Sequence, residues 1–206
     1  VYDANDQLIR TKRFAVHQGI NRITWNLRRD GVRPPPSAKP AKLEDGLPDG
    51  LHVPVGEYKL TLSFDDIEVS TTAMVRPDKS SPHSAEDQQA SYEARLALQV
   101  LREEAVSTLE SIVHAQQDVA TILAILKRQK DEHEELEEQG KALKKLLEEA
   151  EGWFRVPAKT KGITYDDDKV FNRIGTPNYI MGSSFGAPSP AAQRYAEQAE
   201  AALREA

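Results

Sequence analysis

Five histidines are the most versatile chemical groups in this chain of 206 residues. They lie far apart, at His17, His52, His83, His114 and His133. A helical zinc site needs a second histidine one turn after the first, and the residues after His133 supply glutamates instead. His114 lies beside an apolar helical seam, where a boundary residue is expected rather than a ligand. We therefore predict that these histidines are solvated and that none binds a metal.

The one acidic cluster expected in a loop is Tyr165-Asp166-Asp167-Asp168-Lys169. Calcium loops place their oxygen ligands at alternate positions and turn on a glycine, and this segment does neither. The pattern favours a solvated loop or a helix cap over a metal site. A glycosidase would need two carboxylates about 5 to 9 Å apart that face a sugar cleft. Nothing in the sequence marks such a cleft.

No other pattern indicates catalysis or cofactor binding. The chain has no cysteine, which excludes disulfides, thiolate metal sites and thiol nucleophiles. The glycines between Gly175 and Gly186 do not form a phosphate-binding loop. Trp25 is expected in a core, whereas Trp153 is the better candidate for a carbohydrate platform. We predict no catalytic, cofactor-binding or metal-binding residues, and no cofactor.

Charge is distributed unevenly along the chain, whose formal net charge is −6. Residues 84–151 contain 16 acidic and 8 basic residues. Because an acidic segment repels phosphate, nucleic acid is not an expected partner. A modest basic edge, expected to be solvated or paired with the acidic helices, consists of Arg22, Arg28, Arg29 and Arg33. No apolar run has the length of a membrane span.

Residues 1–80 have the pattern of a small β domain. The opening Val1-Tyr2 predicts the end of a strand already under way, so we expect the N-terminal strand to be truncated. Turn formers follow, and a second strand is predicted at 7–13. In residues 20–27 apolar and polar side chains alternate, which predicts a strand with Trp25 pointing inward.

The second half of this β domain has clearer boundaries. Proline, glycine and charged residues predict a long loop over 31–54 that cannot join a hydrogen-bonded ladder. Alternation resumes at 58–64, the Asp65-Asp66 pair predicts a tight turn, and 67–75 predicts the returning strand. Pro77 ends it, because proline cannot donate to a sheet.

Three segments carry a resemblance to a known domain. They are VYDANDQLIR at 1–10, GINRITWNLR at 19–28 and PVGEYKLTL at 54–62. Their motifs, order and spacing resemble the Ig-like domain of the flagellar hook-cap type. The resemblance implies a small β-sandwich over 1–80.

A helical region follows the abrupt loss of proline after Pro82. Ser84, with Asp87 three residues later, predicts an N-cap. Apolar residues recur every seven positions from Leu98 to Leu126, and a charged stretch near 129–138 predicts a bend. We expect helices at about 84–128, 135–151 and 189–206, with an ordered irregular segment at 152–188. The fold class predicted is β plus α, an Ig-like β-sandwich followed by a long antiparallel helical hairpin or three-helix bundle over 84–206.

The whole pattern resembles the C-terminal region of bacterial sortilin-like proteins whose BNR-repeat β-propeller is labelled a glycosyl hydrolase. This resemblance implies a non-catalytic accessory or interaction module that packs on an upstream propeller domain of the same protein or mediates assembly. It also implies a periplasmic or extracellular location. Two alternatives remain open, a part that completes a glycoside hydrolase cleft and a free-standing coiled-coil interaction protein. We expect the helices to provide a route to a homo-oligomer.

Overall fold

The structure of the chain is a computed structural model that describes residues 1–37, 43, 46–129, 133–156, 166–184 and 186–206. The described residues form two small antiparallel sheets and four helices, which confirms the mixed β and α prediction. The strands are β1 (Arg28–Asp30), β2 (Asp49–His52), β3 (Gly56–Phe64) and β4 (Ile67–Val75). The helices are α1 (Ala85–Leu126), α2 (Glu134–Phe154), α3 (Val170–Gly182) and α4 (Pro190–Glu205).

The chain divides into two compact units. Unit 1 comprises Val1–Arg33, Ala41–Gln99 and Ile180–Ser189. Unit 2 comprises Pro34–Pro40, Val100–Tyr179 and Pro190–Ala206. No described helix combines the length and the apolar character needed to cross a bilayer.

The β3–β4 pair in unit 1 confirms the two clearest strand predictions. Every residue of β3 has a partner in β4, from Gly56 opposite Val75 to Phe64 opposite Ile67. Asp65 closes the two-residue turn with a φ of +48°. Aspartate tolerates this left-handed conformation better than most residues do, which explains its place in a tight turn.

The β1–β2 pair corrects the prediction of an unpaired loop over 31–54. Arg28 of β1 pairs with His52 of β2, near the end of the segment that was expected to be irregular. The strands approach closely at Gly50, where a Cβ atom would lie 2.5 Å from the carbonyl oxygen of Asp30. The glycine that argued for a loop therefore permits a close backbone contact instead.

The predictions of strands at 7–13 and 20–27 are wrong. Only an isolated bridge between Tyr2 and Leu8 represents the first, and the chain becomes a strand only from Arg28. Leu27 has a φ of +56°, which interrupts an extended backbone before β1. Ile23 and Leu27 are exposed, so the expected alternation does not bury one face.

The core of unit 1 nevertheless contains Trp25. Ile9, Val53 and Tyr58 are buried together, and Trp25 packs against them with Val1 and Val75. The Trp25 and Tyr58 rings meet edge to face with centroids 5.3 Å apart. The indole Nε1 also donates to the carbonyl oxygen of Arg28 at 2.9 Å. Trp25 therefore packs inward as predicted, although it does so from an irregular segment.

Helix α1 follows the predicted signals closely. The Ser84 side chain accepts a hydrogen bond from the Asp87 backbone N–H at 3.0 Å, which confirms the N-cap. The seam predicted from the seven-residue spacing is inward, since Leu98, Ala105 and Val119 are all buried. The 42 residues of the helix span about 63 Å at 1.5 Å per residue.

Helix α3 corrects the prediction of an irregular segment over 152–188. Val170, Ile174 and Met181 are buried at helical spacing, which is the signal that prolines and glycines obscured. Pro177 lies inside the helix and is itself fully buried. Proline interrupts the helical hydrogen bonds, so packing of the apolar face overrides the local preference here.

The core of unit 2 joins the helices. Its buried members come from α1, α2, α3 and α4 and are Ala105, Leu109, Phe154, Val170, Ile174 and Ala199. Phe154 and Phe171 pack with ring centroids 6.2 Å apart. The helix predicted at 189–206 is confirmed as α4, whose Ala192 and Ala199 are buried.

Candidate interaction surfaces

Unit 1 contains an open, largely apolar groove with a volume of about 1120 Å³. One wall is the irregular N-terminal segment, and the other is the β3–β4 pair. Its apolar lining includes Leu8, Phe14, Val16, Ile23, Leu60, Leu62, Phe64 and Val69. Most of these side chains are exposed, so the groove is open to solvent.

The groove continues the core of unit 1 along one face of β3 and β4. At the base of this face, Tyr58 lies in the core and is only 4% exposed. At the far end, cross-strand pairing places Leu62 opposite Val69 and Phe64 opposite Ile67, and all four are exposed. Successive side chains alternate between faces, so these residues share the face of Tyr58. The strand pattern predicted an apolar inner face, and only its base is covered.

Burial of Tyr58 determines its ionisation as well as its packing. Its hydroxyl donates to the carbonyl oxygen of Pro54 at 2.7 Å. Burial, together with the nearby Tyr92 and Asp3, raises the pKa of Tyr58 to about 12. The phenol is therefore a neutral hydrogen-bond donor that fixes the base of the groove.

Arg10 links the N-terminal wall to β1 and β2. Its guanidinium is 8% exposed and donates to the carboxylate of Asp49 at 2.7 Å. It also donates to the carbonyl oxygens of Arg29 and Pro48, at 3.3 and 3.2 Å. Asp30 Oδ1 lies 3.2 Å from Arg10 Nη1, a charge contact without hydrogen-bond geometry. Sequence reasoning missed this network because its members are far apart in the chain.

A second apolar surface lies on α2 in unit 2. Leu136, Leu143, Leu146 and Trp153 are between 46% and 62% exposed. Their spacings of seven, three and seven residues place them along one stripe of the helix. Trp153 is thus part of an exposed apolar stripe. Its neighbours on this stripe are leucines, and it does not line the groove of unit 1.

Another face of α2 packs on α1. The Gln116 side chain donates to the carbonyl oxygen of Leu147 at 3.1 Å and to the Glu151 carboxylate at 3.0 Å. At Gly140 a Cβ atom would lie 2.7 Å from Leu123. Burial raises the pKa of Glu151, but hydrogen bonds from Gln116 and Arg155 outweigh it and leave that pKa below its ordinary value.

The acidic cluster lies at the start of α3, apart from Tyr165, which falls outside the described residues. Asp166 accepts a hydrogen bond from the Asp168 backbone N–H at 3.0 Å. This bond and the neighbouring Lys169 lower the pKa of Asp166. Asp168 pairs with Arg173 at 2.6 Å. Two of the three carboxylates, those of Asp166 and Asp168, are therefore bound by local donors around the first turn of the helix.

The histidines considered as metal ligands and the arginines of the basic edge do not form a common site in the described part of the chain. His17, His52 and His114 are exposed, and His83 and His133 are partly buried. In the part of the chain that the structure describes, no three His, Asp or Glu side chains are grouped to hold a metal ion. On the predicted basic edge, Arg29 donates to the Tyr92 hydroxyl at 2.9 Å and Arg28 to the Gly50 carbonyl.

Comparison with protein-family models, curated proteins and solved structures yields no match for this chain.

Proposed function

We propose that this chain is a non-catalytic interaction module of a larger, exported β-propeller protein, and that the apolar groove of unit 1 is covered by the propeller domain upstream of it. In this proposal the β part is an Ig-like sandwich and the helical part is an antiparallel hairpin with further helices packed on it. The location is the periplasm or the extracellular space. The observation that supports a binding role is the exposed apolar face of β3 and β4.

Exposure of this face has an energetic cost that a partner would remove. Fully burying a Leu, Val or Phe side chain contributes about 1.5–3 kcal/mol. Leu62, Phe64, Ile67 and Val69 are adjacent on one surface and are each 43% to 65% exposed. Contiguous apolar patches of this kind mark interaction sites on soluble proteins. The groove is therefore the most favourable place on unit 1 for another protein surface to bind.

The charged residues that line the groove indicate which charges a complementary partner surface would carry. Lys12 and Arg13 line the groove, and Glu68 is the one acidic residue among the described residues of its lining. Arg10 also reaches it, but its guanidinium is already bound by carboxylates within unit 1. A partner with an apolar ridge and acidic residues at its edge is complementary to this surface.

A matched pair of substitutions tests the proposal. Phe64 lines the groove and is 53% exposed, whereas Met74 lies outside the lining and is 57% exposed. The chain and the rest of the encoded protein are produced as separate polypeptides, and their dissociation constant is measured by calorimetry. We expect Phe64→Lys to raise it at least tenfold, about 1.4 kcal/mol, and Met74→Lys to leave it within about twofold.

Three results would contradict the proposal. Equal effects of the two lysine substitutions would show that the groove is not the binding surface. A gene that encodes no propeller upstream of Val1 would remove the proposed partner. Turnover of an aryl glycoside by the purified chain, abolished by substitution of one carboxylate, would replace the non-catalytic function with a hydrolase.

A further inference from the structure

We infer that the groove holds a β-strand antiparallel to β3, and that this strand is formed by the four residues that precede Val1 in the encoded protein. This inference rests on the proposed function, in which the groove is a binding surface, and it identifies the part of the upstream protein that enters the groove first. The strand joins the β3–β4 pair at the free edge of β3. The observation that carries it is the backbone pairing of Tyr2 with Lys59, where the groove begins along β3.

The first pair of this strand is already formed. The Tyr2 N–H donates to the Lys59 carbonyl oxygen at 2.8 Å, and the Lys59 N–H donates to the Tyr2 carbonyl oxygen at 3.0 Å. Lys59 Nζ also lies 4.9 Å from the centroid of the Tyr2 ring, so the two side chains share one face of the sheet. In this antiparallel register Val1 lies opposite Leu60, and the residues before Val1 run along β3 toward Phe64.

The free edge of β3 has backbone groups for the rest of the strand. Alternate residues of an antiparallel strand direct their N–H and C=O groups to the same side. Lys59 directs both groups away from β4, and Thr61 and Ser63 therefore direct theirs to the same edge. Among the residues that the structure describes, no backbone partner binds these groups of Thr61 and Ser63. Both residues line the groove, and an open edge of this kind is a template for a further strand.

The register of the first pair fixes that of the whole strand. The first and third residues before Val1 lie opposite Thr61 and Ser63 and complete their hydrogen bonds. The second and fourth lie opposite Leu62 and Phe64. Residues that are opposite each other share a face, so the second and fourth cover the exposed apolar end of the groove and are expected to be apolar. Four residues extend about 14 Å at the usual rise of a strand, which is enough to reach Phe64.

The segment before Val1 fits this edge better than a strand from another molecule does. The Val1 α-nitrogen donates to the Arg10 carbonyl oxygen at 2.8 Å, and a peptide N–H at that position donates in the same way. The preceding residue therefore enters beside β3 without loss of an existing bond. Because it is joined to Val1, its direction and register are fixed in advance, whereas a separate strand must acquire both on binding. The outer edge of β4 also has open backbone groups, at Glu68 and Ser70, but no described residue begins a strand there.

A disulfide in the complete encoded protein tests the register. A cysteine replaces the residue directly before Val1 and is combined with Thr61→Cys or, as the matched control, with Ser70→Cys. The two substituted residues lie opposite each other on β3 and β4 with their hydroxyl oxygens 2.9 Å apart, so either change removes the same hydrogen bond. The Cα separation from the new cysteine is about 5.5 Å for position 61, within the disulfide range, and about 10 Å for position 70. We expect at least tenfold more of the mapped disulfide with Thr61→Cys, and equal or undetectable yields would overturn the strand.

Amide hydrogen exchange supplies a second test that needs no substitution. Exchange at single residues is measured by mass spectrometry in this chain and in the complete encoded protein. The Thr61 and Ser63 amides are expected to exchange at least tenfold more slowly in the complete protein, because the strand binds them. The Glu68 and Ser70 amides face the opposite edge of the β3–β4 pair and are the internal controls. Their exchange should change less than twofold.

The outcomes separate this strand from the proposed function. Equal slowing at all the amides would show that a domain covers both edges, which would overturn the strand and leave the groove proposal in place. No slowing at Thr61 and Ser63 would overturn the strand and leave the groove proposal to the calorimetric comparison of Phe64→Lys with Met74→Lys. Charged residues at both the second and the fourth position before Val1, or fewer than four encoded residues there, would also overturn it. Conversely, a Thr61→Cys disulfide in a protein without an upstream propeller would keep the strand and remove the proposed partner.

Discussion

Gly140 is the position where a single methyl group tests the packing of α2 on α1. Glycine in a helix interior is about 1 kcal/mol less favourable than alanine, so a Gly140→Ala change would stabilise an isolated helix by about that amount. In this structure the added Cβ would lie 2.7 Å from Leu123 Cδ2 and 3.2 Å from its Cγ. Both distances are shorter than ordinary contacts, and therefore Leu123 or the helix must move.

Whether Gly140→Ala stabilises or destabilises the protein depends on whether the gain in helix propensity or the cost of overpacking is larger. Overpacking a well-filled contact costs about 1–3 kcal/mol. We therefore expect Gly140→Ala to lower the free energy of unfolding by about 0–2 kcal/mol despite its better helix propensity. Leu123→Ala removes the atoms that would clash, and the partly buried leucine should itself contribute about 1–3 kcal/mol. In that background Gly140→Ala should become stabilising by about 1 kcal/mol.

A double-mutant cycle measures how much the effect of Gly140→Ala on stability depends on the side chain at position 123. The four proteins are unfolded in urea, and helix content is followed by circular dichroism. The expected coupling between the two positions is about 1–3 kcal/mol, within the range for residues in contact. Additive effects would refute the close approach of α1 and α2 at this point. A Gly140→Ala variant that is more stable than the parent chain by about 1 kcal/mol would show that the Leu123 side chain moves aside at little cost.

Two further substitutions test unit 1. Arg10→Ala removes the hydrogen bonds that the buried guanidinium donates and leaves Asp30 and Asp49 partly exposed, and it should lower the free energy of unfolding by about 1–3 kcal/mol, measured by urea denaturation; a loss below about 0.5 kcal/mol would contradict the network. Because the pKa of Tyr58 is raised to about 12, its stabilisation is complete below its unfolded value near 10 and is lost as pH rises toward 12, by about 2 kcal/mol. Tyr58→Phe should remove that part of the pH dependence, and an unchanged alkaline profile would contradict the assignment.

Local signals predicted the elements whose causes are local. Alternation and a two-residue turn predicted β3 and β4, because both patterns are complete within twenty residues. The N-cap at Ser84 was predicted for the same reason, since one side chain binds a backbone N–H three residues later. In each case the sequence neighbours are also the structural neighbours.

The missed elements depend on distant residues. β2 exists because Gly50 lets its backbone meet Asp30, twenty residues earlier. α3 forms around a buried Pro177 because its apolar face packs into unit 2. Local helix propensity does not include the contribution of that packing. The Arg10 network joins residues up to 39 positions apart. The exposed end of the groove likewise has no motif that would announce it, because exposure depends on how the described segments pack in space.

Thiol labelling tests whether the groove is a binding surface. Val69 and Met74 lie on the same strand with exposures of 56% and 57%, and only Val69 lines the groove. Val69→Cys and Met74→Cys are introduced both into this chain and into the full product of its gene. If the upstream domain covers the groove, the Val69→Cys thiol reacts at least tenfold more slowly in the full protein, while the Met74→Cys thiol reacts equally in both. Equal rates for Val69→Cys in the two proteins would contradict it.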